Sequence, residues 1–287
     1  MVEKIVINPI GGLANRMRCI ASGLTLAKSL NISSEIIWPV DNDLYASFED
    51  LFQPNAIPTS IRNISSITDI CFFDSPRKKN LYLSNIFHSL IPAYKNTYTH
   101  RISDSNLFLQ PTYNESTLID IARSLNGKLL IRSGVEYFPY SDVFYRTIFM
   151  PQIDITKAAM QIKQRFIDPT YGIHIRRTDN KESISKSPVS LFISQIKSIL
   201  SQSPGAKFYI ASDDQDVKLQ LYNTFPNNTI LNNTRVTRQT KQGMKDALME
   251  LILLSSTKRI FGSYYSSYSE AAAKLGDTHL TVLTDKL

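Results

Sequence analysis

The residues best equipped for chemistry lie in one run, Tyr171-Gly172-Ile173-His174-Ile175-Arg176-Arg177-Thr178-Asp179. It opens as an apolar alternation and ends in three charged side chains within four residues. Uncompensated charge at a sheet end is costly to desolvate, so such an ending implies an anionic partner. Arginine suits that partner, because its planar fork can hold phosphate oxygens in pairs. At a strand's period of two, His174 and Arg176 share one face while Ile173, Ile175 and Arg177 share the other. One arginine can then reach a ligand while its neighbour pairs with Asp179. The plainer alternative is a structural Arg–Asp pair closing a strand.

The elements that must position this run are those of an α/β protein. Residues 4–10 read as a strand running into Gly11-Gly12-Leu13-Ala14-Asn15-Arg16, and Met17, Ile20, Ala21, Leu24, Ala27 and Leu30 follow at helical spacing. Strand, glycine turn and helix can aim backbone N–H groups at an anion, or can simply make a tight turn. No Gly-Lys-Ser/Thr follows, and the pattern is not Gly-x-Gly-x-x-Gly. Residues 35–40 form a second strand, completing a βαβ unit. The Asp41-Asn42-Asp43 that follows could be a metal signature, but Asp and Asn are turn formers, and the turn is the better reading. Residues 44–130 read as loops and short elements, with a helix over 118–125. A strand spans 128–132, and an aromatic loop follows it, Gly134-Val135-Glu136-Tyr137-Phe138-Pro139-Tyr140.

A helix around 156–166 crosses between the two halves. The 171–179 strand comes next, then a helix over 188–200 and a strand over 207–211. Ser212 is the expected N-cap of the following helix, with Asp213, Asp214 and Asp216 in its first turn. Residues 229–231 and 259–263 are further strands, 246–256 an amphipathic helix, and 271–276 a helix closing on glycine. Residues 279–284 supply one more strand. Strands alternating with helices in two runs predict two α/β layers with parallel sheets, domain boundaries at 1–165 and 166–287, and ligands beyond the C-terminal strand ends.

Composition narrows the classes. Apolar residues at 43% and charged residues at 20% describe a globular chain, not a disordered one. The net charge of +7 favours anionic partners: nucleotides, nucleic acid or an acidic membrane face. No basic stripe interleaves with aromatics, which argues against nucleic acid. Two cysteines, Cys19 and Cys71, make no disulfide framework. The first residues read as a strand and not as a secretion signal, and no apolar run reaches the roughly 20 residues that span a bilayer. The expected location is the cytoplasm. Asn31, Asn63, Asn114, Asn227 and Asn232 head glycosylation sequons, read there as chance occurrences.

Taken together, the segments resemble the α1,2/α1,6- and O-fucosyltransferase superfamily. His174-Ile175-Arg176-Arg177-Thr178-Asp179 resembles its His-x-Arg-Arg-x-Asp motif, most of all in the α1,6 branch. Residues 208–214, ending in Ser212-Asp213-Asp214, are similar to its second motif. Glu250-Leu251-Ile252-Leu253-Leu254-Ser255, running on to Ser266-Ser267-Tyr268-Ser269, is similar to its third. Residues 11–16 resemble the N-terminal Gly-Gly-Leu-Gly-Asn of the α1,2 branch. The four pieces occur in family order across nearly the whole chain. The aromatic pair that follows the serines in the α1,2 branch is replaced by Glu270-Ala271, against strict α1,2 membership.

The resemblance implies a GT-B fold, with two Rossmann-like domains facing across a cleft. It implies an inverting enzyme that needs no metal and takes fucose from GDP-fucose to a glycan hydroxyl. It places Arg176 on the donor diphosphate and His174 facing the donor, Arg177, Asp179, Asp213 and Asp214 around them, and Ser266 and Ser267 on the phosphate side. Glu250 stands where an aspartate usually reads guanine, with Asp246 one turn earlier as a substitute. Gly11, Gly12 and Asn15 face donor or acceptor. A carboxylate of the N-terminal half, Glu136 or Asp142, is the candidate general base; the alternative is a reaction so dissociative that it needs little base help. The expected partners are a GDP-sugar and a glycan acceptor, with lipid-linked acceptors at a membrane's inner face among the candidates. Competing readings are a different GDP-sugar, a non-catalytic nucleotide-binding protein, and a metal-dependent GT-A enzyme resting on Asp41 and Asp43.

Overall fold

The computed structural model describes residues 1–64, 100–104, 115–178, 181–232 and 236–285 of the 287. Two compact units, Met1–Met150 and Pro151–Leu287, make up the chain.

In the first unit, β1 (Lys4–Pro9) leads through Gly11 and Gly12 into α1 (Leu13–Leu30), followed by β2 (Ser33–Pro39), a short helix α2 (Phe48–Leu51) and β3 (Ser60–Ile64). Further on come β4 (His100–Ser103), α3 (Glu115–Ser124), β5 (Lys128–Ser133) and α4 (Asp142–Ile148). Among the described residues the strands order β3-β2-β1-β5-β4, with every neighbour pair parallel. The first strand is therefore central and buried on both faces; Ile5-Val6-Ile7 forms its apolar centre, and the buried Asn8 that follows donates to the Ile37 carbonyl at 3.0 Å.

The second unit holds α5 (Ile153–Lys163), β6 (Thr170–Ile175), α6 (Lys181–Lys186), α7 (Val189–Gln202), β7 (Lys207–Ser212), α8 (Gln215–Thr224) and β8 (Thr229–Ile230). It ends with α9 (Lys241–Ser255), β9 (Ile260–Ser263), α10 (Ser267–Gly276) and β10 (Leu280–Leu283). Its sheet runs β10-β9-β6-β7-β8, again parallel throughout. One face of β6 and β7, carrying Ile173, Ile175, Phe208 and Ile210, packs with Phe192 and Ile196 of α7 and Val217 and Leu221 of α8. The opposite face turns Gly172 and His174 toward α9 and α10. A Cβ on Gly172 would lie 2.8 Å from the Thr257 hydroxyl and 3.1 Å from Leu254 Cδ2.

The boundary at Met150–Pro151 places α5 in the second unit. This helix, expected to cross between halves, packs on α9, where Lys245 Nζ meets Asp154 Oδ2 at 2.6 Å. Among the described residues no helix is long and apolar enough to cross a membrane.

Candidate functional site

Strand β6 stops at Ile175, four residues short of the expected end, because side chains replace its ladder partners. The Arg176 N–H donates to Ser263 Oγ at 3.1 Å and the Arg177 N–H to Asp213 Oδ1 at 2.7 Å. Asp213 Oδ2 also accepts from the Thr178 N–H at 3.2 Å and the Thr178 hydroxyl at 2.7 Å. Asp213 is thus not free for a ligand as expected; both of its oxygens shape the turn that carries the arginines. Asp214, not Ser212, is the N-cap of α8, accepting from the N–H groups of Asp216 and Val217 at 2.9 and 3.4 Å. Ser212 instead donates to the Ile175 carbonyl at 2.7 Å.

The two arginines divide their work differently from the sequence expectation. Arg177 Nη1 donates to the Ile184 carbonyl at 3.1 Å and Nη2 to the Ser187 carbonyl. Two nitrogens of its fork therefore tie down the end of α6, while its buried Nε meets no partner among the described residues. Asp179, the partner expected for it, lies outside the described residues. Arg176, half-buried, follows β6 directly on the face shared with His174.

His174 is 6% exposed. Its Nδ1 lies 2.7 Å from Ser269 Oγ and 3.4 Å from Ser266 Oγ, and its ring packs 4.8 Å from that of Tyr268. Burial, with the charges of Arg176 and Lys218, holds the imidazole down to about 4, against the opposite pull of Asp213. The ring is neutral at physiological pH. Ser266 is the N-cap of α10, yet its side chain makes no capping bond. Ser267 opens the helix half-buried, and Ser269, not Ser267, joins Ser266 at the histidine. Spacing could have shown this: three residues along a helix return to the same face.

Glu250 is also corrected. It is 2% exposed, and its Oε1 receives Lys218 Nζ at 2.5 Å. Burial pushes the Glu250 carboxyl up to about 7, although Lys218 pulls it back. A carboxylate committed to a buried lysine is poorly disposed to read a base. Asp246, one turn earlier, receives only the Gln242 amide, at 2.9 Å, among the described residues. Lys218 was missed in the sequence because it sits 32 residues from its partner on another helix.

In the first unit, Gly11 adopts φ +79, where a side chain would be strained, and Gly12 caps α1 without a side chain. The first turn of α1 carries no acidic residue. Arg16 is fully buried over the Trp38 ring, and it donates to the Gly11 carbonyl at 2.7 Å, to the Pro39 carbonyl, and to Asp41 Oδ1 at 2.7 Å. Asp41 Oδ1 also accepts from the N–H groups of Asp43 and Leu44 at 2.9 and 3.2 Å. The Asp41–Asp43 segment is therefore a turn locked to the glycine loop. Among the described residues no three His, Cys, Asp or Glu side chains are grouped to hold a metal. Asn15 is half-buried, and its Oδ1 meets no donor.

The aromatic loop after β5 is fastened from both sides. Asp104 accepts from the Gly134 N–H at 3.1 Å, Arg18 Nε donates to the Gly134 carbonyl at 2.8 Å, and the Tyr137 N–H donates to Ser22 Oγ at 3.2 Å. Tyr137 and Phe138 are buried, so packing accounts for them. Glu136 is exposed and hydrogen-bonded to Tyr140, while Asp142 lies exposed in the first turn of α4. Cys19 is buried, and burial pushes its thiol up; Cys71 lies outside the described residues.

No family model matches the chain, and no curated protein matches it. Solved structures do. Fucosyltransferase NodZ from Bradyrhizobium aligns at TM-score 0.62 and 15% identity, over 95% of this chain and 91% of that one. Arabidopsis thaliana FUT1 in complex with GDP aligns at TM-score 0.62 and 15% identity, over 98% of this chain and 70% of that one. POFUT1 in complex with GDP-fucose aligns at TM-score 0.55 and 11% identity, over 98% of each. The chain has the α/β fold, of GT-B type, that these fucosyltransferase structures share.

Proposed function

We propose, from a chain that has the fold of these fucosyltransferases, that it is a glycosyltransferase moving L-fucose from GDP-fucose to a glycan hydroxyl with inversion and without a metal. The acceptor is a bacterial surface-polysaccharide precursor, met in the cytoplasm at the membrane's inner face. The carrying observation is the C-terminal end of β6, where Arg176 leaves the strand beside a buried neutral His174 and above the turn built by Asp213. Parallel sheets bind ligands at that end. The neighbours' bound GDP and GDP-fucose support the choice of donor.

The chemistry follows from charge. Breaking the glycosidic bond builds negative charge on the departing diphosphate, and a fixed guanidinium stabilises that transition state more than the ground state. Arg176 fills this role. His174 contributes a neutral ring, and Ser266 stands beside it. Guanine is read by Asp246, whose carboxylate can accept from the base's N1–H and N2–H₂, because Glu250 is held by Lys218. The glycine turn at Gly11, Gly12 and Asn15 serves donor or acceptor. Glu136 takes the acceptor's proton, with Asp142 as the second candidate.

Thermal shifts test this reading. GDP should raise the melting temperature with EDTA present, and Arg176→Ala should abolish the rise and lower turnover by about 10²–10³-fold. Hydrolysis of a panel of GDP-sugars should favour GDP-fucose. Stabilisation that requires magnesium, or an Arg176→Ala variant that still responds to GDP, would contradict the proposal.

A further inference from the structure

Two buried hydroxyls converge on a single ring nitrogen. Ser269 is fully buried with Oγ 2.7 Å from His174 Nδ1, and Ser266, 3% exposed, is 3.4 Å from the same atom. Neither hydroxyl has another hydrogen-bond partner among the described residues. A buried hydroxyl needs an acceptor for its proton, and the lone pair of an unprotonated Nδ1 is the one within reach of Ser269. With the proton on Nδ1 instead, the ring N–H would donate to Ser269 Oγ, and the buried Ser269 O–H would be left without an acceptor among the described residues. That imbalance favours the other tautomer by roughly tenfold or more.

We propose that Ser269 is a positioning residue that fixes His174 in the tautomer carrying its proton on Nε2, so that the ring offers a ligand a neutral hydrogen-bond donor and cannot act as a base.

One contact to the ring, one to its backbone and one glycine beside its partner support that pose. Tyr268 packs against its face and anchors its own hydroxyl on the Ala247 carbonyl. Ser263 Oγ lies 3.5 Å from the His174 carbonyl. Gly262, paired with His174 in the sheet, makes room for Ser269: a Cβ there would lie 2.5 Å from Ser269 Oγ and 2.8 Å from its Cβ. The charged groups that act on the ring are Asp213, Arg176 and Lys218, and burial keeps it neutral among them. No described residue bonds Nε2. An N–H donor beside Arg176 is matched to an anionic oxygen, and on the diphosphate reading above, on which this role rests, that oxygen belongs to the leaving group.

Nitrogen NMR tests the assignment directly. Protein labelled with ¹⁵N-histidine, with His174 assigned by its loss in His174→Asn, should show a protonated Nε2 and a lone-pair Nδ1 across neutral pH. GDP should move the Nε2 resonance. Ser269→Ala should draw the two nitrogen shifts together as the tautomers mix, and should lower kcat about tenfold, with Ser269→Cys intermediate. A proton found on Nδ1 in the native protein, a measurement that needs no variant, overturns the proposal. So does a Ser269→Ala ring with unchanged shifts. An Nε2 proton that ignores GDP, while GDP still raises the melting temperature through Arg176, overturns the donor role and leaves the transferase reading standing.

Discussion

Replacing His174 with asparagine removes a group that penalises the folded state in acid, and the size of that penalty follows from its surroundings. The ring is driven from 6.5 to about 4 by burial first, then by Arg176 and Lys218. The sign follows from linkage: unfolded chains take up a proton below pH 6.5, the folded ring refuses it until about 4, and stability is lost as pH falls through that window. At about 1.4 kcal/mol per pH unit, the loss between neutral pH and about pH 4.5 is roughly 2–3 kcal/mol. Asparagine loses the ring's contacts at every pH but has nothing to titrate. The difference in unfolding free energy between native protein and variant should therefore shrink by that amount on acidification. Urea unfolding followed by far-UV circular dichroism measures it, and the difference cancels the titrating groups common to both proteins. Glu250 works the other way: pushed from 4.5 up to about 7, it costs stability as pH rises, so the native protein's own curve is flattened where the windows overlap. A difference that stays constant to within about 0.5 kcal/mol across the range would show that the ring is not shielded as the geometry requires.

The remaining predictions concern the second unit's buried charges. Lys218→Met leaves Glu250 unpaired and should cost about 3–5 kcal/mol in urea titrations at pH 8, and less near pH 5, where the carboxyl is protonated. Adding Glu250→Gln should recover most of the loss, and a single variant within about 1 kcal/mol of native would contradict the pairing. Arg177→Ala should lower stability by about 1–3 kcal/mol through the unmet carbonyls of Ile184 and Ser187, while leaving GDP affinity within a few-fold in calorimetry. A selective loss of GDP binding in a fully stable Arg177→Ala protein would return that side chain to the ligand.

Sequence periodicity located most strands because they are buried on both faces. The runs at residues 4–9, 128–133, 170–175 and 207–212 each carry apolar residues at their centre that point to both faces, and each is a strand beside the middle of its sheet or at it. β3 and β4 escaped notice because Ser60-Ile61-Arg62-Asn63-Ile64 and His100-Arg101-Ile102-Ser103, the outer strands among the described residues, are largely polar and partly exposed. The helix expected from residue 246 starts at Lys241, where Thr240 accepts from the Gly243 N–H at 3.0 Å; its first turn lacks the apolar periodicity that marks the rest. At the site, the histidine's face and the turn at Asp41 were legible from period and composition. The diversion of Arg177 to carbonyls and of Asp213 to amides was not, since both depend on where α6 and β7 end in space. The Lys218–Glu250 pair had no local signal at all, because two helices far apart in sequence create it.

Gly262 and Ser269 face each other so closely that position 262 has no room for a side chain. Any side chain at 262 would evict the hydroxyl opposite, and a larger residue at 269 would part the helix from the strand. Removing the hydroxyl does not open the space, because the Cβ of residue 269 would still lie 2.8 Å from a Cβ at 262. Across descendants of this gene glycine should therefore persist at 262 even where the serine is lost.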